Sequence, residues 1–175
     1  MKKKILLGMT LAIWVLIACG CLKRNPEELN IEAVIADYQQ AINRGDFDEA
    51  DRICKLRDGK QGSWFFRDTG LEAAEDDPSY VVAYKELCLE SFTIEVMDPY
   101  LDAEVAVFTT CYTQCESEKF WNGIIENCDL DALSKMTVAE CKQELEQYIG
   151  RYLFIFEVRI HCEMIDGEWK IVEFQ

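Results

Sequence analysis

Four titratable residues, Glu157, Arg159, His161 and Glu163, alternate along one segment of the chain. In a β-strand this spacing places all four on one face, where His161 could act as a general base and a neighbouring carboxylate could orient it. A solvated strand face with charges of alternating sign gives the same pattern, and we favour that interpretation. His161 is also the only histidine of the chain. We therefore predict no catalytic residue, and an enzyme is the less favoured alternative.

Cys19 is a second residue with defined chemistry. Three lysines, Lys2 to Lys4, precede an uncharged apolar run over residues 5–18. That arrangement is typical of a secretory signal, and the run is shorter than a comfortable membrane span. The sequence Leu16-Ile17-Ala18-Cys19 resembles the lipobox of bacterial lipoproteins, whose cysteine receives a diacylglycerol and becomes the first residue of the mature protein. The resemblance implies that Cys19 is the site of lipidation.

The lipobox resemblance implies a division of the chain into three parts. These are a lipoprotein signal peptide over residues 1–18, a lipidated tether over residues 19–25, and a single domain over residues 26–175. The lipid would hold the protein at the extracytoplasmic face of the cell membrane. An ordinary signal peptide or uncleaved anchor is the alternative, in which Cys19 has no role.

Acidic residues dominate the composition. The chain carries 33 Asp and Glu against 18 Lys and Arg, for a formal net charge of −15. Such a charge argues against nucleic acid as a partner and against a protein that lies flat on anionic lipid. No phosphate-binding loop, glycine-rich dinucleotide turn, nucleophile elbow or zinc-protease motif is present. The sequence predicts no cofactor.

Cysteine is abundant, with nine residues in the chain. Seven fall in the predicted domain: Cys54, Cys88, Cys111, Cys115, Cys128, Cys141 and Cys162. Outside the membrane such residues can form disulfides, and their pairing stays open because spacing alone does not determine it. Their spacing, with His161 included, matches no recurrent zinc module, and we predict no metal.

Helical periodicity with capping signals marks the first half of the domain. Asn25-Pro26-Glu27-Glu28 predicts a helix start, and Gly45 predicts its end. Asp46 predicts the cap of a second helix, and Asp77-Pro78 the start of a third. The aromatic run over residues 63–67 is predicted to be a short buried edge strand.

Alternation of polar and apolar residues marks the strands that follow. Phe92, Ile94 and Val96 predict one strand and Asp98-Pro99-Tyr100-Leu101-Asp102 its turn. The remaining predicted elements, in chain order, are a strand over 103–113, a helical insert with helices over 118–127 and 137–148, a strand over 152–163, a turn at Asp166-Gly167, and a last strand over 169–174. The predicted class is α+β, with N-terminal helices packed on an antiparallel sheet.

Two segments resemble a known superfamily. The tandem-helix segment over residues 41–50 and the closing strand pair over residues 163–172 are similar to the nuclear-transport-factor-2-like (cystatin-like) fold of small bacterial lipoproteins. The resemblance implies a curved, cone-like sheet with a pocket between sheet and helices. The helical insert departs from this pattern and could cover or replace the mouth of the cone.

A pocket of this kind would be lined by aromatic residues, although each aromatic is as readily a core residue. The candidate pocket residues are Trp64, Tyr84, Phe154 and Phe156, together with Glu157, Arg159 and His161. We predict a non-catalytic module that binds a small ligand or an envelope protein. The alternatives are a small isomerase- or hydrolase-like enzyme and a structural module that forms a homodimer through its open sheet face.

Overall fold

The computed structural model describes residues 26–102 and 104–175. The predicted signal peptide, Cys19 and the tether lie outside these residues, and their assignments stay predictions. The elements in chain order are α1 (Pro26–Asn43), α2 (Phe47–Ile53), α3 (Trp64–Asp68), α4 (Ser79–Glu90), β1 (Thr93–Asp102), β2 (Val105–Cys115), α5 (Ser117–Asn127), α6 (Leu130–Leu133), α7 (Val138–Ile149), β3 (Leu153–Ile165) and β4 (Glu168–Phe174). Among the described residues, no helix is long and apolar enough to cross a membrane.

The end of α1 and the start of α2 lie where the sequence predicts, whereas Asn25, the predicted cap of α1, lies outside the described residues. The apolar stripe of α1 is buried through Ile31, Ile35 and Tyr38. Gly45 ends the helix with a φ of 67°, a conformation that glycine adopts without steric cost. The Asp46 carboxylate then accepts a hydrogen bond from the Glu49 N–H at 3.2 Å and caps α2.

The four strands form one antiparallel sheet in the order β1-β2-β3-β4. The predicted α+β class is therefore confirmed. The helices cover the side of β2 that carries Ala106, Phe108 and Thr110, all of which are fully buried. The opposite side of β2 is only half-buried. This burial places the core between α1, α4 and one face of the sheet.

The predicted turn over residues 98–102 is wrong. These residues continue β1, and Asp102 pairs with Val105 across the connection to β2. The register shifts between Val96 and Asp98, which indicates a β-bulge at Met97. Because β1 is an edge strand, Pro99 is tolerated there in spite of its missing N–H.

The predicted strand over residues 63–67 is also wrong, since the aromatic run forms the short helix α3. A local side-chain network accounts for the helix. The Ser63 N–H donates to the Asp51 carboxylate at 2.7 Å, and Arg67 Nε donates to the Ser63 hydroxyl one turn away at 2.9 Å. The edge of β4 is already occupied, because Lys55 and Arg57 donate backbone hydrogen bonds to it.

The helical insert between β2 and β3 is confirmed, with an extra short helix, α6. Thr137 and Glu140 form the predicted capping box of α7. The insert packs on α4, where the Tyr84 hydroxyl donates to the Ser117 carbonyl at 2.9 Å and Tyr80 stacks on Trp121. The insert therefore extends the helical layer.

Candidate functional site

A cavity of about 540 Å³ lies between α1, the segment from Leu56 to Phe66, and the inner face of the sheet. Its lining comprises Tyr38, Leu56, Arg57, Asp58, Lys60, Gly62, Trp64, Phe65, Phe66, Phe92, Tyr112, Gln114, Phe156, Val158, Val172, Glu173 and Phe174. None of these residues belongs to the helical insert. The expectation that the insert covers or replaces the mouth is therefore wrong for this cavity.

Eight of the seventeen residues that line the cavity are aromatic. Phe92 is at its centre, with ring centroids 5.1 Å from Phe66, 5.3 Å from Tyr112 and 6.4 Å from Tyr38. All three pairs meet edge to face, the arrangement that aromatic quadrupoles prefer. Phe174 closes one side, 5.7 Å from Tyr38. The site therefore offers a largely apolar surface.

Two polar side chains of β2 interrupt this surface. Tyr112 and Gln114 are two residues apart on the buried side of the strand, and both line the cavity. The Tyr112 hydroxyl is buried and has no hydrogen-bond partner among the described residues. Gln114 also makes no side-chain hydrogen bond to another described residue. Because the Tyr112 hydroxyl oxygen is itself buried, Gln114 is the polar side chain of this pair that a ligand in the cavity could contact.

The protonation of the two cavity tyrosines follows from their burial. Burial raises the pKa of Tyr112 well above its ordinary value, and the same cause raises the pKa of Tyr38. Both hydroxyls are therefore protonated donors at neutral pH. Tyr38 donates to the Gly62 carbonyl at 2.8 Å, which leaves Tyr112 as the uncommitted donor of the pair.

Gly62 lets the chain pass close to α2 at the cavity wall. A Cβ atom at this position would contact the Cβ of Cys54 and would lie 2.9 Å from the Cys54 carbonyl oxygen and 3.0 Å from that of Ala50. Two of these three atoms belong to the backbone, which cannot move aside cheaply. Glycine here therefore holds the loop that carries Lys60 and Trp64 against the rest of the wall.

Charged side chains also line the cavity, and each positive one is paired with a negative one. The Lys60 ammonium lies 3.9 Å from the centroid of the Trp64 ring, a cation–π contact, and 3.6 Å from the Asp58 carboxylate. Arg57 forms ion pairs with Glu163 and, at 3.0 Å, with Glu173. Hydrogen bonding to Glu163 raises the pKa of Arg57. The paired charges leave no excess of one sign at the site.

The predicted row of alternating charges does lie on one face of β3, but none of its members lines the cavity. Glu157 and Arg159 are exposed, whereas His161 and Glu163 are half-buried. The His161 Nε2 atom is buried without a hydrogen-bond partner among the described residues. Glu163 forms an ion pair with Arg57. This row of charges therefore contains no hydrogen bond between His161 and a carboxylate that could orient a base.

The predicted aromatic pocket residues separate into two groups. Trp64 and Phe156 line the cavity, and their role in binding stays a prediction. Tyr84 instead packs between α4 and the insert, 5.0 Å from Trp121. Phe154 is exposed beside the cavity and stacks on Phe156 at 5.1 Å. The pocket residues predicted from the sequence do not include Tyr112 and Gln114. The signal for this pair is its spacing: the two residues alternate with cysteine and threonine along β2, which places both on one face of the strand.

The seven described cysteines are all free thiols. Cys54, Cys88, Cys115, Cys141 and Cys162 are buried, whereas Cys111 and Cys128 are half-buried. Burial raises the pKa of Cys162 to about 12. Across the described ranges, no group of three or more His, Cys, Asp or Glu side chains is placed to hold a metal ion.

We expect thiol reagents to discriminate between these cysteines in the native full chain. Cys111 and Cys128 should react with N-ethylmaleimide about tenfold faster than Cys88 or Cys162, because the reagent reaches a half-buried thiol more readily than a buried one. Peptide mass spectrometry after a short exposure of the reduced protein measures the rates. Unfolding in guanidinium chloride should equalise them. Equal rates in the native protein would contradict the burial of these thiols.

Comparison with known proteins gives one structural likeness. The chain is similar to an NTF-2-like protein of unknown function from Shewanella oneidensis MR-1, at 13% sequence identity and a TM-score of 0.44. The similarity covers 85% of this chain and 96% of that one. No family model matches the sequence, and no curated protein matches it.

Proposed function

We propose that this protein is a lipid-anchored, extracytoplasmic binding module whose cavity takes a small, uncharged, mostly apolar molecule. The observation that carries the proposal is the largely aromatic lining of the cavity, with the Gln114 side chain as a polar group within it. The Gln114 amide can donate to and accept from a carbonyl, ether or hydroxyl oxygen of the ligand. The Tyr112 hydroxyl oxygen is buried beneath the wall and has no hydrogen-bond partner among the described residues.

The dimensions and charge of the cavity support this class of ligand. A volume of about 540 Å³ falls within the range of small-molecule sites. A flat ring would pack against Phe65 and Phe156, the lining aromatics that leave 38% and 36% of their surface exposed. A charged ligand is disfavoured, because the charged side chains at the site already pair with one another and burial of an unpaired charge is costly.

Binding is favoured over catalysis by the same residues. The protonated Tyr112 hydroxyl can donate a hydrogen bond but is a poor base, since burial raises its pKa. The sole histidine lies outside the cavity lining. The enzyme alternative would need a general base at the cavity wall, and the lining carboxylates Asp58 and Glu173 both form ion pairs with cations.

The anchor rests on the lipobox at Leu16 to Cys19. Two or three acyl chains give stable membrane attachment, whereas one gives only a marginal hold. A tether over residues 19–25 would keep the cavity near the membrane surface, where apolar molecules concentrate. The attachment and the choice of an apolar ligand are therefore consistent with each other.

The test is the affinity of the full chain for 2-naphthol, a flat apolar probe with a single hydroxyl. We expect Gln114→Met, which keeps the length of the side chain, to weaken binding about fivefold, in keeping with the net value of a hydrogen bond. The free energy of unfolding should not fall, because the Gln114 side chain has no hydrogen bond to another described residue to lose. Probe fluorescence gives the affinity and urea denaturation gives the stability.

Gln143→Met is the matched control. It makes the same chemical change at an exposed glutamine of α7 outside the cavity lining, and it should leave the affinity for 2-naphthol unchanged. Equal affinities for the wild type and both variants, or no binding at all, would overturn the proposed site.

A further inference from the structure

Two buried cysteines from separate elements contact each other in the core. Cys88 lies in α4, and Cys115 is the last residue of β2. Their side chains hydrogen-bond to each other, and they are 2% and 3% exposed. Thiols in contact meet the first requirement for a disulfide, because a bond between distant cysteines would need the backbone to move.

A second contact holds α4 beside the end of β2. Tyr84 and Cys88 are one turn apart on the buried side of α4. The Tyr84 hydroxyl donates to the carbonyl of Ser117, two residues beyond Cys115, at 2.9 Å. The Tyr84 ring also packs on Phe120, with centroids 5.6 Å apart. The placement of Cys88 against Cys115 therefore follows from how the two elements pack and not from one side chain alone.

The other buried cysteines are not placed for a bond with one another. Cys54 and Cys162 lie on opposite sides of Ile171, since Cys54 forms a bridge with it and Cys162 pairs with it across the sheet. Two strand spacings separate their backbones by about 10 Å, beyond the roughly 7 Å between Cα atoms that a disulfide can span. The Cys141 thiol donates instead to the Leu133 carbonyl at 3.3 Å.

We propose that Cys88 and Cys115 form a disulfide when the chain folds outside the cytoplasm. The compartment rests on the anchor proposed above, whereas the choice of partners rests on the packing of α4 and β2. In the reaction the two thiols give up two protons and two electrons, and one S–S bond forms. The disulfide of an exported thiol–disulfide oxidoreductase accepts the electrons and protons and is left as a dithiol.

Burial determines when the bond forms and what it does. The hydrogen bond to Cys115 and burial together raise the pKa of Cys88. Because the thiolate is the attacking species and the folded protein encloses both thiols, oxidation takes place before α4 packs on the sheet. The bond closes a loop that contains the hairpin of β1 and β2. It joins α4 to the point at which the helical insert leaves the sheet.

Peptide mapping of the full chain tests the pairing. The chain is expressed with its own N-terminal segment in a bacterial host with an oxidising periplasm, and the membrane fraction is denatured with N-ethylmaleimide to block free thiols. Digestion without reductant should give a peptide that links Cys88 to Cys115 in most molecules, with Cys54 and Cys162 alkylated. Alkylated Cys88 and Cys115 in the membrane-bound protein, or a link from Cys88 to another cysteine, would overturn the proposal.

Thermal melting with and without prior reduction provides a second measurement. Reduction should lower the melting temperature of the wild type by about 10 °C. Cys88→Ala should melt at the same temperature in both conditions. Cys162→Ala is the matched control, because it removes a buried thiol outside the pair and should keep the shift on reduction. A shift that persists in Cys88→Ala, or is lost in Cys162→Ala, would contradict the bond.

Refolding in vitro separates the pairing from the proposed location. The full chain is reduced, denatured and refolded in a glutathione redox buffer, where the Cys88–Cys115 peptide should form even if the anchor assignment fails and the chain is not exported. Its absence from the refolded protein would refute the pairing. The affinity for 2-naphthol enters neither readout, so failure of the proposed ligand leaves this test intact.

Discussion

Phe92→Ala should lower the free energy of unfolding by about 3–5 kcal/mol, the usual cost of removing a buried aromatic ring. The side chain is 1% exposed, and its ring joins α1, α3 and β2 through Tyr38, Phe66 and Tyr112. Loss of the ring leaves a void next to the existing cavity, so the surrounding side chains have few atoms to pack against if they move into it. Urea denaturation followed by tryptophan fluorescence measures the change.

Phe65→Ala is the control for this measurement. Phe65 precedes Phe66 in α3 and is 38% exposed, so the same substitution should cost about 1 kcal/mol or less. Similar losses from the two variants would contradict the placement of Phe92 at the centre of the aromatic wall. A Phe92→Leu variant should recover part of the loss, because it refills most of the volume.

Cys19→Ala should abolish lipidation entirely and leave an unprocessed precursor. The expectation rests on the sequence alone: a lysine-rich start, an apolar run and Leu16-Ile17-Ala18 before the cysteine. Without the thiol there is no acceptor for the diacylglycerol. Labelling with radioactive palmitate in a bacterial host, followed by gel electrophoresis, measures both incorporation and the mass of the product.

Cys21→Ala is the matched control for the lipid site. Cys21 lacks a large aliphatic residue three positions before it, since Ala18 stands there, and its loss should leave labelling intact. Normal labelling of Cys19→Ala, or loss of labelling in Cys21→Ala, would refute the assignment of Cys19. The result is independent of the ligand proposed for the cavity.

Short-range interactions explain what the sequence determined. Asp46 and Thr137 cap helices through bonds to residues three positions away, and these signals predict both helix starts. Asp166 and Gly167 have φ values of 54° and 84°, the left-handed conformations that a two-residue hairpin needs and that these residue types tolerate. Periodicity likewise predicted the helical insert and the α+β class, because burial of one face acts along each element separately.

Long-range contacts decided what the sequence did not reveal. The aromatic run over residues 63–67 became a helix because Asp51 and Arg67 hold its ends and the neighbouring sheet edge is filled by Lys55 and Arg57. The cavity likewise depends on residues far apart in the chain, such as Tyr38 and Tyr112, which face each other only after the sheet and helices pack. The extent of pairing between β3 and β4, from Ile160 to Ile165 of β3, likewise became visible only in the folded sheet.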